Sequence, residues 1–331
     1  MMNVPPINPR VDNPAAVVIG GANIDYKCQT GSVPVPRTSN PGRIVTSLGG
    51  VGRNVAENLA RMGTSTALIT ALGTDVAGDR IHRDTENAGV DLRHAIMTSH
   101  RTGTYTAILD ASGDLYIAVS EMDAMNDVTP ASIEDRRALI ANAQILVMDC
   151  NVPADAMVRA AEIAQRCGVP VLVDPVSVAK AQCIARVLAV GLPLHTVTPG
   201  LEELQQLTGA SGSSRADLCD AASRLHAAGA QNVWVSLGIN GSFLSAAGDG
   251  TARMEMIAAA PATLVDATGA GDAMLAGYVV GILRGLDPFA AARYGRAAAA
   301  ITIESSATVN PSINMAALLD RAGRSIESSE A

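Results

Sequence analysis

The chain has 331 residues, which is long enough to bury a large core in one α/β domain. Its hydrophobic content of 48% excludes a disordered chain, and its net charge of −8, without a cluster of Lys or Arg, argues against a nucleic-acid partner. Aromatic residues reach only 2%, so a bound base is expected to lie between aliphatic side chains.

The beginning of the chain and the cysteines indicate where the protein works. Residues 1–14 are rich in Pro and Asn and lack the basic and apolar regions of a signal peptide, so we expect a disordered tail there. Five scattered cysteines without a C-x-x-C pair favour free thiols over a disulfide framework or a zinc site. Free thiols are typical of a reducing cytosol, so we expect a cytoplasmic protein. The sequence has no run of about 18 apolar residues, so no membrane-spanning helix is expected.

Short β-branched runs alternate with Ala-rich helical patterns along the chain. Helical patterns lie at 154–167 and 216–228. The predicted strands are residues 16–20, 67–70, 145–148, 171–173, 195–197 and 233–235. This alternation predicts an α/β domain over residues 15–325, with a mostly parallel sheet covered by helices on both faces.

Two β-rich stretches interrupt the alternation. Residues 26–47 are polar and Pro-rich, and residues 102–120 have the pattern of a β-hairpin. The two could pair into a small sheet over the carboxyl ends of the parallel strands, where it would act as a lid formed by about 24–47 and 102–121. Two separate surface loops are the alternative.

The clearest chemical signal is a Gly-rich turn, residues 266–272, before a helix of small residues. At Gly269, Ala270 and Gly271, backbone N–H groups could converge on phosphoryl charge that develops during transfer. Asp272 could then take the proton of an attacking hydroxyl, and its place beside a helix N-terminus predicts a lowered pKa. An ordinary turn with an Asp cap is the alternative.

Two further turns could hold substrate hydroxyl groups. Gly49 and Gly50 lead into a helix whose first turn carries Asn54, an amide able to both donate and accept. Asn23 and Asp25 follow the first strand, where ligands of parallel sheets usually bind. Helix capping and an Asx-turn are the respective alternatives. The sequence contains neither a P-loop nor a dinucleotide fingerprint.

Together these segments resemble the ribokinase-like (PfkB) family of sugar and nucleoside kinases, from about residue 15 to residue 319. Residues 49–54 and 266–272 are the most specific matches, in the family's order and separation. The resemblance implies a three-layer α/β/α fold with a mostly parallel central sheet and a small β-sheet lid. It also implies ATP, Mg²⁺, often a stimulating monovalent cation such as K⁺, and a homodimer formed through the lid.

The resemblance further implies roles for single residues. Asp272 would be the catalytic base, and Gly269, Ala270 and Gly271 would form the anion hole. The positions that match substrate contacts are Asn23, Asp25, Gly49, Gly50, Asn54 and Asn151. The positions that match the nucleotide side are Ser236, Gly238, Gly241 and Thr268. The positions that match the monovalent-cation site are Asp266, Thr268, Ser305 and Ser312.

One position departs from the family pattern. The family carries an Asn-x-x-Glu motif that helps to order Mg²⁺ and its water, and here Glu203 keeps the acidic position while Gly200 replaces the Asn. A water could fill the gap, or turnover could be slower. A non-catalytic nucleoside-binding regulator is the alternative from another functional class.

Within the family, the chain is most similar to members that phosphorylate pseudouridine, with matches at 39–43, 53–54, 148–151 and 174–177. Asn151 could bond an amide-like edge of a uracil ring, or it could cap the following helix. The expected reaction is ATP-dependent phosphorylation of the pseudouridine 5′-hydroxyl. Ribose, another sugar or another nucleoside are the rival substrates.

Overall fold

The computed structural model describes residues 13–248 and 250–327, the last four of these by their backbone alone. Residues 1–12 of the expected tail therefore lie outside the described residues. The strands are β1 (Ala16–Ile19), β2 (Asn23–Thr30), β3 (Gly42–Gly49), β4 (Thr66–Ile69), β5 (Ala71–Gly73), β6 (Ile96–Thr98), β7 (Gly103–Leu109), β8 (Leu115–Glu121), β9 (Ile145–Asp149), β10 (Val171–Asp174), β11 (Leu194–Val197), β12 (Ala230–Ser236), β13 (Ser242–Ala246) and β14 (Arg253–Ile257). The α-helices are α1 (Val51–Arg61), α2 (Val76–Asn87), α3 (Pro130–Glu134), α4 (Arg137–Ala141), α5 (Ala154–Arg166), α6 (Gln182–Ala189), α7 (Leu201–Thr208), α8 (Arg215–Ala228), α9 (Ala270–Leu283), α10 (Pro288–Ile303) and α11 (Met315–Glu327).

The central sheet has eight strands in the order β14-β13-β12-β11-β10-β9-β1-β4. The six strands from β4 to β12 run parallel, and β13 and β14 continue the sheet antiparallel. All six strands predicted from apolar runs belong to this parallel part. The predicted mostly parallel sheet is therefore confirmed.

Helices cover both faces of the sheet, which makes three layers. Within β1, Val17 and Ile19 pack into one apolar cluster, while Ala16 and Val18 pack into another on the opposite face. The first cluster includes side chains of α5 and α8, and the second includes side chains of α1, α9 and α10. Both faces of the sheet are buried, so the strands in its middle are apolar throughout and do not alternate between apolar and polar residues.

The two β-rich stretches form one separate sheet, in the order β3-β2-β7-β8. β2 pairs antiparallel with β3 and parallel with β7, and β7 pairs antiparallel with β8. β2 follows β1 after residues 20–22, and β3 ends directly before α1. This small sheet is therefore anchored at the carboxyl end of the parallel strands, where the predicted site residues lie.

No helix in the described ranges is long and apolar enough to cross a lipid bilayer. All five cysteines fall inside these ranges, and each is a free thiol.

Candidate active site

Two helix starts that are distant in sequence meet in the structure. Helices α1 and α9 pack against each other, with Asn54 in the first turn of one and Asp272 in the first turn of the other. Asn54 Nδ2 donates to Asp272 Oδ2 at 2.7 Å. The two Gly-rich turns singled out from the sequence therefore share one cleft.

Glycine is required at both turns for steric reasons. Gly50 has φ 94°, and a Cβ there would lie 2.4 Å from the carbonyl oxygen of Gly21. Gly269 has φ 80°, and a Cβ there would lie 2.0 Å from the carbonyl oxygen of Thr308. Any other residue would meet both backbone strain and a clash. Gly271, in contrast, is exposed, and a Cβ would find open space.

Asp149, for which no role was predicted from the sequence, organises the floor of the cleft. Its Oδ2 accepts from the backbone N–H groups of Gly21 at 2.8 Å and Gly52 at 2.7 Å, and its Oδ1 accepts from that of Asn151 at 2.7 Å. Burial raises the pKa of this carboxyl against the lowering effect of these donors. An Asp that closes a buried apolar strand needs such donors, and this was the available signal.

Arg53 fixes the orientation of Asn54. Its guanidinium is buried, pairs with Glu57 one turn along α1, and donates to Asn54 Oδ1. Because the amide oxygen faces Arg53, the amide NH₂ group must face Asp272. The spacing of Arg53 and Glu57 by four residues was the sequence signal for this pair.

The substrate-side residues of β2 lie together beside α1. Asn23 Nδ2 donates to Asp25 Oδ1 at 2.6 Å, and a Cβ at Gly49 would lie 2.3 Å from Asp25 Oδ2. Burial raises the pKa of Asp25, while Asn23, Arg53 and Lys27 act to lower it. The structure thus brings Asn23, Asp25 and Gly49 into one group with a carboxylate able to accept from hydroxyls.

The predicted lowering of the Asp272 pKa is wrong. Burial raises the pKa of Asp272 to about 7, with the Asp149 and Asp25 carboxylates adding to the rise and Asn54 and Arg53 opposing it. Desolvation and like charges therefore outweigh the helix dipole, the only influence visible in the local sequence. A carboxyl with this pKa is a much better proton acceptor at neutral pH than an ordinary Asp.

Asp174 is a second carboxyl of the cleft that the sequence analysis left without a role. Burial, followed by the charge of Asp272, raises its pKa to about 8. It accepts from the backbone N–H of Val176 at 2.8 Å and from Thr198 Oγ1 at 3.1 Å, and the carboxylate of Glu203 also acts on it. A cluster of carboxyl groups therefore extends from Asp272 towards α7, and their mutual repulsion helps to raise the pKa of Asp174.

Glu203 closes the start of α7. Its Oε2 accepts from the backbone N–H of Gly200 at 2.7 Å. Together with Ser236 and Gly238 these two residues line a cavity of about 560 Å³. A Cβ at Gly200 would lie 3.4 Å from Glu203 Oε2, so the backbone there leaves room for a side chain.

A second cavity, of about 330 Å³, adjoins the turn of residues 266–272 that is predicted to form the anion hole, called the anion-hole turn below. Gly238 and Gly241 form one part of its wall, and Ala267 and Ala270 connect it to the start of α9. The rest of the wall is mainly apolar, with several Ala residues, Met274 and Ile303, but it also includes Ser242 and Arg296, and none of the described residues that line it is aromatic. The cavity thus offers a mainly apolar slot next to the turn of Gly269.

The residues expected at the monovalent-cation site are only partly brought together. Asp266 Oδ1 accepts from the backbone N–H of Thr268 at 2.8 Å, and its Oδ2 accepts from Lys27 Nζ at 2.7 Å. Ser305 accepts from the N–H of Ala307, and Ser312 donates to Asn310, each inside its own turn. Because Asp266 already pairs with an ammonium group, a second cation at this carboxylate would be repelled, and the arrangement does not fit K⁺.

Asn151 points to the cleft rather than to a helix end. Helix α5 starts after Pro153 without a side-chain cap, so the capping alternative is not realised. Lys180 donates to Asn151 Oδ1, and a Cβ at Gly21 would lie 2.7 Å from Asn151 Nδ2. The amide therefore turns its NH₂ group towards the loop that follows β1.

The chain is similar to proteins of named activity along most of its length. Pseudouridine kinase of Escherichia coli strain K12 is 32% identical over 302 residues, which cover 91% of this chain and 94% of that protein. A sugar kinase of the same organism, described as uncharacterised, is 34% identical over 300 residues, covering 90% of this chain and 80% of that protein. The structure of Arabidopsis thaliana ribokinase complexed with ribose and ATP matches with a TM-score of 0.82 and 24% identity, covering 94% of this chain and 99% of that one.

These comparisons confirm the ribokinase-like fold that the sequence predicted. The family pattern of the pfkB carbohydrate kinases matches residues 13–315, a range that contains both Gly-rich helix starts and the small sheet. The chain therefore belongs to the pfkB family of carbohydrate kinases and is a phosphotransferase with an alcohol group as acceptor.

Proposed function

We propose that this kinase transfers the γ-phosphoryl group of ATP to the 5′-hydroxyl of pseudouridine, giving pseudouridine 5′-phosphate and ADP. The observation that carries the proposal is the 2.7 Å hydrogen bond between Asn54 and Asp272, which joins the sugar side and the phosphoryl side of one cleft. The 32% identity with pseudouridine kinase of Escherichia coli supports the choice of substrate.

The chemical step needs a proton acceptor and a site for developing negative charge. The substrate oxygen attacks the γ-phosphorus, the bond to the β–γ bridging oxygen breaks, and Asp272 takes the hydroxyl proton. Its pKa of about 7 suits this transfer at neutral pH. The N–H groups at Gly269, Ala270 and Gly271 would stabilise the equatorial oxygens of the phosphoryl group as their charge grows.

The ribose would lie between β2 and α1. The Asp25 carboxylate can accept hydrogen bonds from two neighbouring ribose hydroxyls, and its Oδ1 already accepts one from Asn23. Asn54 can donate to a ribose oxygen once its present partner, Asp272, turns to the substrate hydroxyl. The absence of side chains at Gly49 and Gly50 leaves the sugar room beside the backbone.

A nucleoside base explains Asn151 better than a free sugar does. Lys180 holds the amide oxygen, so the remaining NH₂ group can donate to a carbonyl of a uracil ring. A free ribose carries no base carbonyl to accept from this amide, so the added affinity of that contact would be lost. The 34% identity with a sugar kinase nevertheless makes a sugar the second candidate substrate.

The ATP adenine would occupy the mainly apolar cavity of about 330 Å³ that Gly238 and Gly241 line, and Ser236, in the wall of the neighbouring cavity, and Thr268 would contact the rest of the nucleotide. Mg²⁺ commonly uses one or two carboxylates together with waters and phosphates, and Glu203 with Asp174 fits that set. When bound, the ion would neutralise phosphate charge during transfer. No group of three His, Cys, Asp or Glu side chains in the described ranges forms a metal site by itself.

The small sheet would close over the substrate as a lid and pair with a second copy of the chain. Its outer strands expose large apolar residues, with exposed fractions of 68% for Ile44, 58% for Leu115 and 66% for Val119. Such a patch is unusual for a monomer, and light scattering of the purified protein would give the oligomeric state. Free thiols and the use of ATP support a place in the cytoplasm.

The test is a substrate panel at fixed ATP. We expect kcat/KM for pseudouridine to exceed the values for ribose and other free sugars by about tenfold or more, since a lost base contact costs about 1–3 kcal/mol, and to exceed the value for uridine, which keeps the base. A ribose optimum would replace the nucleoside assignment by a sugar kinase. Calorimetric binding of nucleoside without ADP release would support the binding regulator instead.

A further inference from the structure

The chain contains only two lysines, Lys27 and Lys180, and both reach groups of the cleft. Lys27 belongs to β2 of the small sheet. Its Nζ lies 2.7 Å from Asp266 Oδ2 and 3.0 Å from Thr268 Oγ1. Both partners belong to the turn that leads into α9, so one side chain of the small sheet is bonded directly to the anion-hole turn.

The strand pairing of β2 sets the direction of Lys27. Side chains two residues apart on a strand point to the same face, so Lys27 shares its face with Asn23 and Asp25. β2 is paired on both sides, and Lys27 lies opposite Val45 on β3 and Ala107 on β7. The ammonium group is therefore carried to Asp266 by the same framework that carries the substrate-side residues.

We propose that Lys27 is a positioning residue whose ammonium group takes the place of the monovalent cation implied by the family resemblance. Asp266 has no free oxygen in this arrangement, because Thr268 N–H bonds Oδ1 and Lys27 bonds Oδ2. The turn that positions Gly269 is thus held by a charge belonging to the chain itself. This inference rests on the proposed phosphoryl transfer at Asp272.

A lysine in this role has a consequence that a free ion lacks. The side chains of Lys27 and Asp266 are 31% and 29% exposed, so the ion pair adds little to the stability of the fold. Its effect should instead be on the geometry of the anion-hole turn, where small displacements reduce the rate strongly. Because Lys27 is part of the small sheet, the charge reaches Asp266 only while the sheet covers the cleft.

The activity test compares KCl with choline chloride at equal ionic strength. We expect wild-type kcat to differ by less than about twofold between the salts, whereas Lys27→Met loses about tenfold or more in choline and regains activity in KCl. Methionine keeps an apolar stem of similar length but removes the charge. Gln29→Met, the next position on the same face of β2, is the matched control and should behave as wild type.

Thermal unfolding gives a readout without substrate. We expect KCl to raise the Tm of Lys27→Met by about 2 °C relative to choline, and to leave wild type and Gln29→Met unchanged, because only the variant has an open cation site. A wild-type Tm that rises equally in KCl, or a Lys27→Met protein that keeps its kcat in choline, would overturn the proposal. If no substrate is phosphorylated, the proposed function fails while the Tm comparison still decides the role of Lys27.

Discussion

At the start of α1, backbone N–H groups donate to acceptors within the protein. At the start of α9, a Gly-rich turn of similar composition is more exposed and makes weaker hydrogen bonds. The N–H of Gly52 bonds Asp149 at 2.7 Å, and the N–H of Arg53 bonds the Gly21 carbonyl at 3.0 Å. At α9 the N–H of Ala270 makes a long bond of 3.2 Å inside the turn, and Gly271 is exposed.

The difference separates two tasks that the sequence alone makes look alike. A helix start whose donors are used up by a buried carboxylate and a backbone carbonyl is a rigid framework, and it holds the side chain of Asn54 in a single orientation. A helix start with exposed N–H groups is an anion site. In the proposed reaction, the substrate side is therefore preformed, and the phosphoryl side would be completed by a charged ligand.

The largest expected effect comes from removing the proposed proton acceptor, Asp272, at the open helix start. We expect Asp272→Asn to lower kcat by about 10²–10⁴-fold, the usual range for a general base, with little change in the fold. Asparagine keeps the shape and can still accept from Asn54. Steady-state kinetics with pseudouridine and ATP measures the loss, and a kcat within about threefold of wild type would exclude a base at this position.

A pair of alanine variants in the same turn sharpens the comparison. We expect Gly269→Ala to lower the free energy of unfolding by about 1–3 kcal/mol, because φ is positive and the Cβ meets the Thr308 carbonyl. Gly271→Ala has open space and should keep its stability, but its methyl group would lie among the donors and lower kcat/KM for ATP by about tenfold. Urea unfolding and kinetics measure both variants. Equal stability losses would contradict an open turn at Gly271.

Much of this arrangement was predictable because its signals are local. Apolar runs identified the parallel strands, and glycines before two helices identified both turns of the cleft. The β-rich stretches also predicted the strands of the small sheet, although the pattern could not decide between one sheet and two loops. The pairing of β2 with β7 depends on contacts between residues about 80 positions apart, which no local pattern reports.

The errors and omissions have a common physical cause. The pKa of Asp272 depends first on burial by the surrounding fold and then on carboxylates such as Asp149 and Asp25, which arrive from other strands, so the helix dipole alone gave the wrong direction. No role was predicted for Asp174 because the carboxyl groups around it likewise come from distant parts of the chain. Lys27 was missed although it continues the two-residue period of Asn23 and Asp25, and in retrospect that alternation was its signal.

The smallest expected effect concerns the stability of the charged cleft. The pKa of Asp272 is about 7 in the folded chain against its ordinary 3.8, so the folded state holds this proton more tightly than the unfolded state. Ionising the group therefore opposes folding increasingly as pH rises from about 4 to about 7. Asp272→Asn should then be more stable than wild type by about 1–2 kcal/mol at pH 8, a value reduced for partial solvent exposure, and similar to wild type near pH 4. Urea unfolding at both pH values, with Asp79→Asn on the exposed surface as control, measures this difference, and a gain independent of pH would show that the carboxyl is not strained by its surroundings.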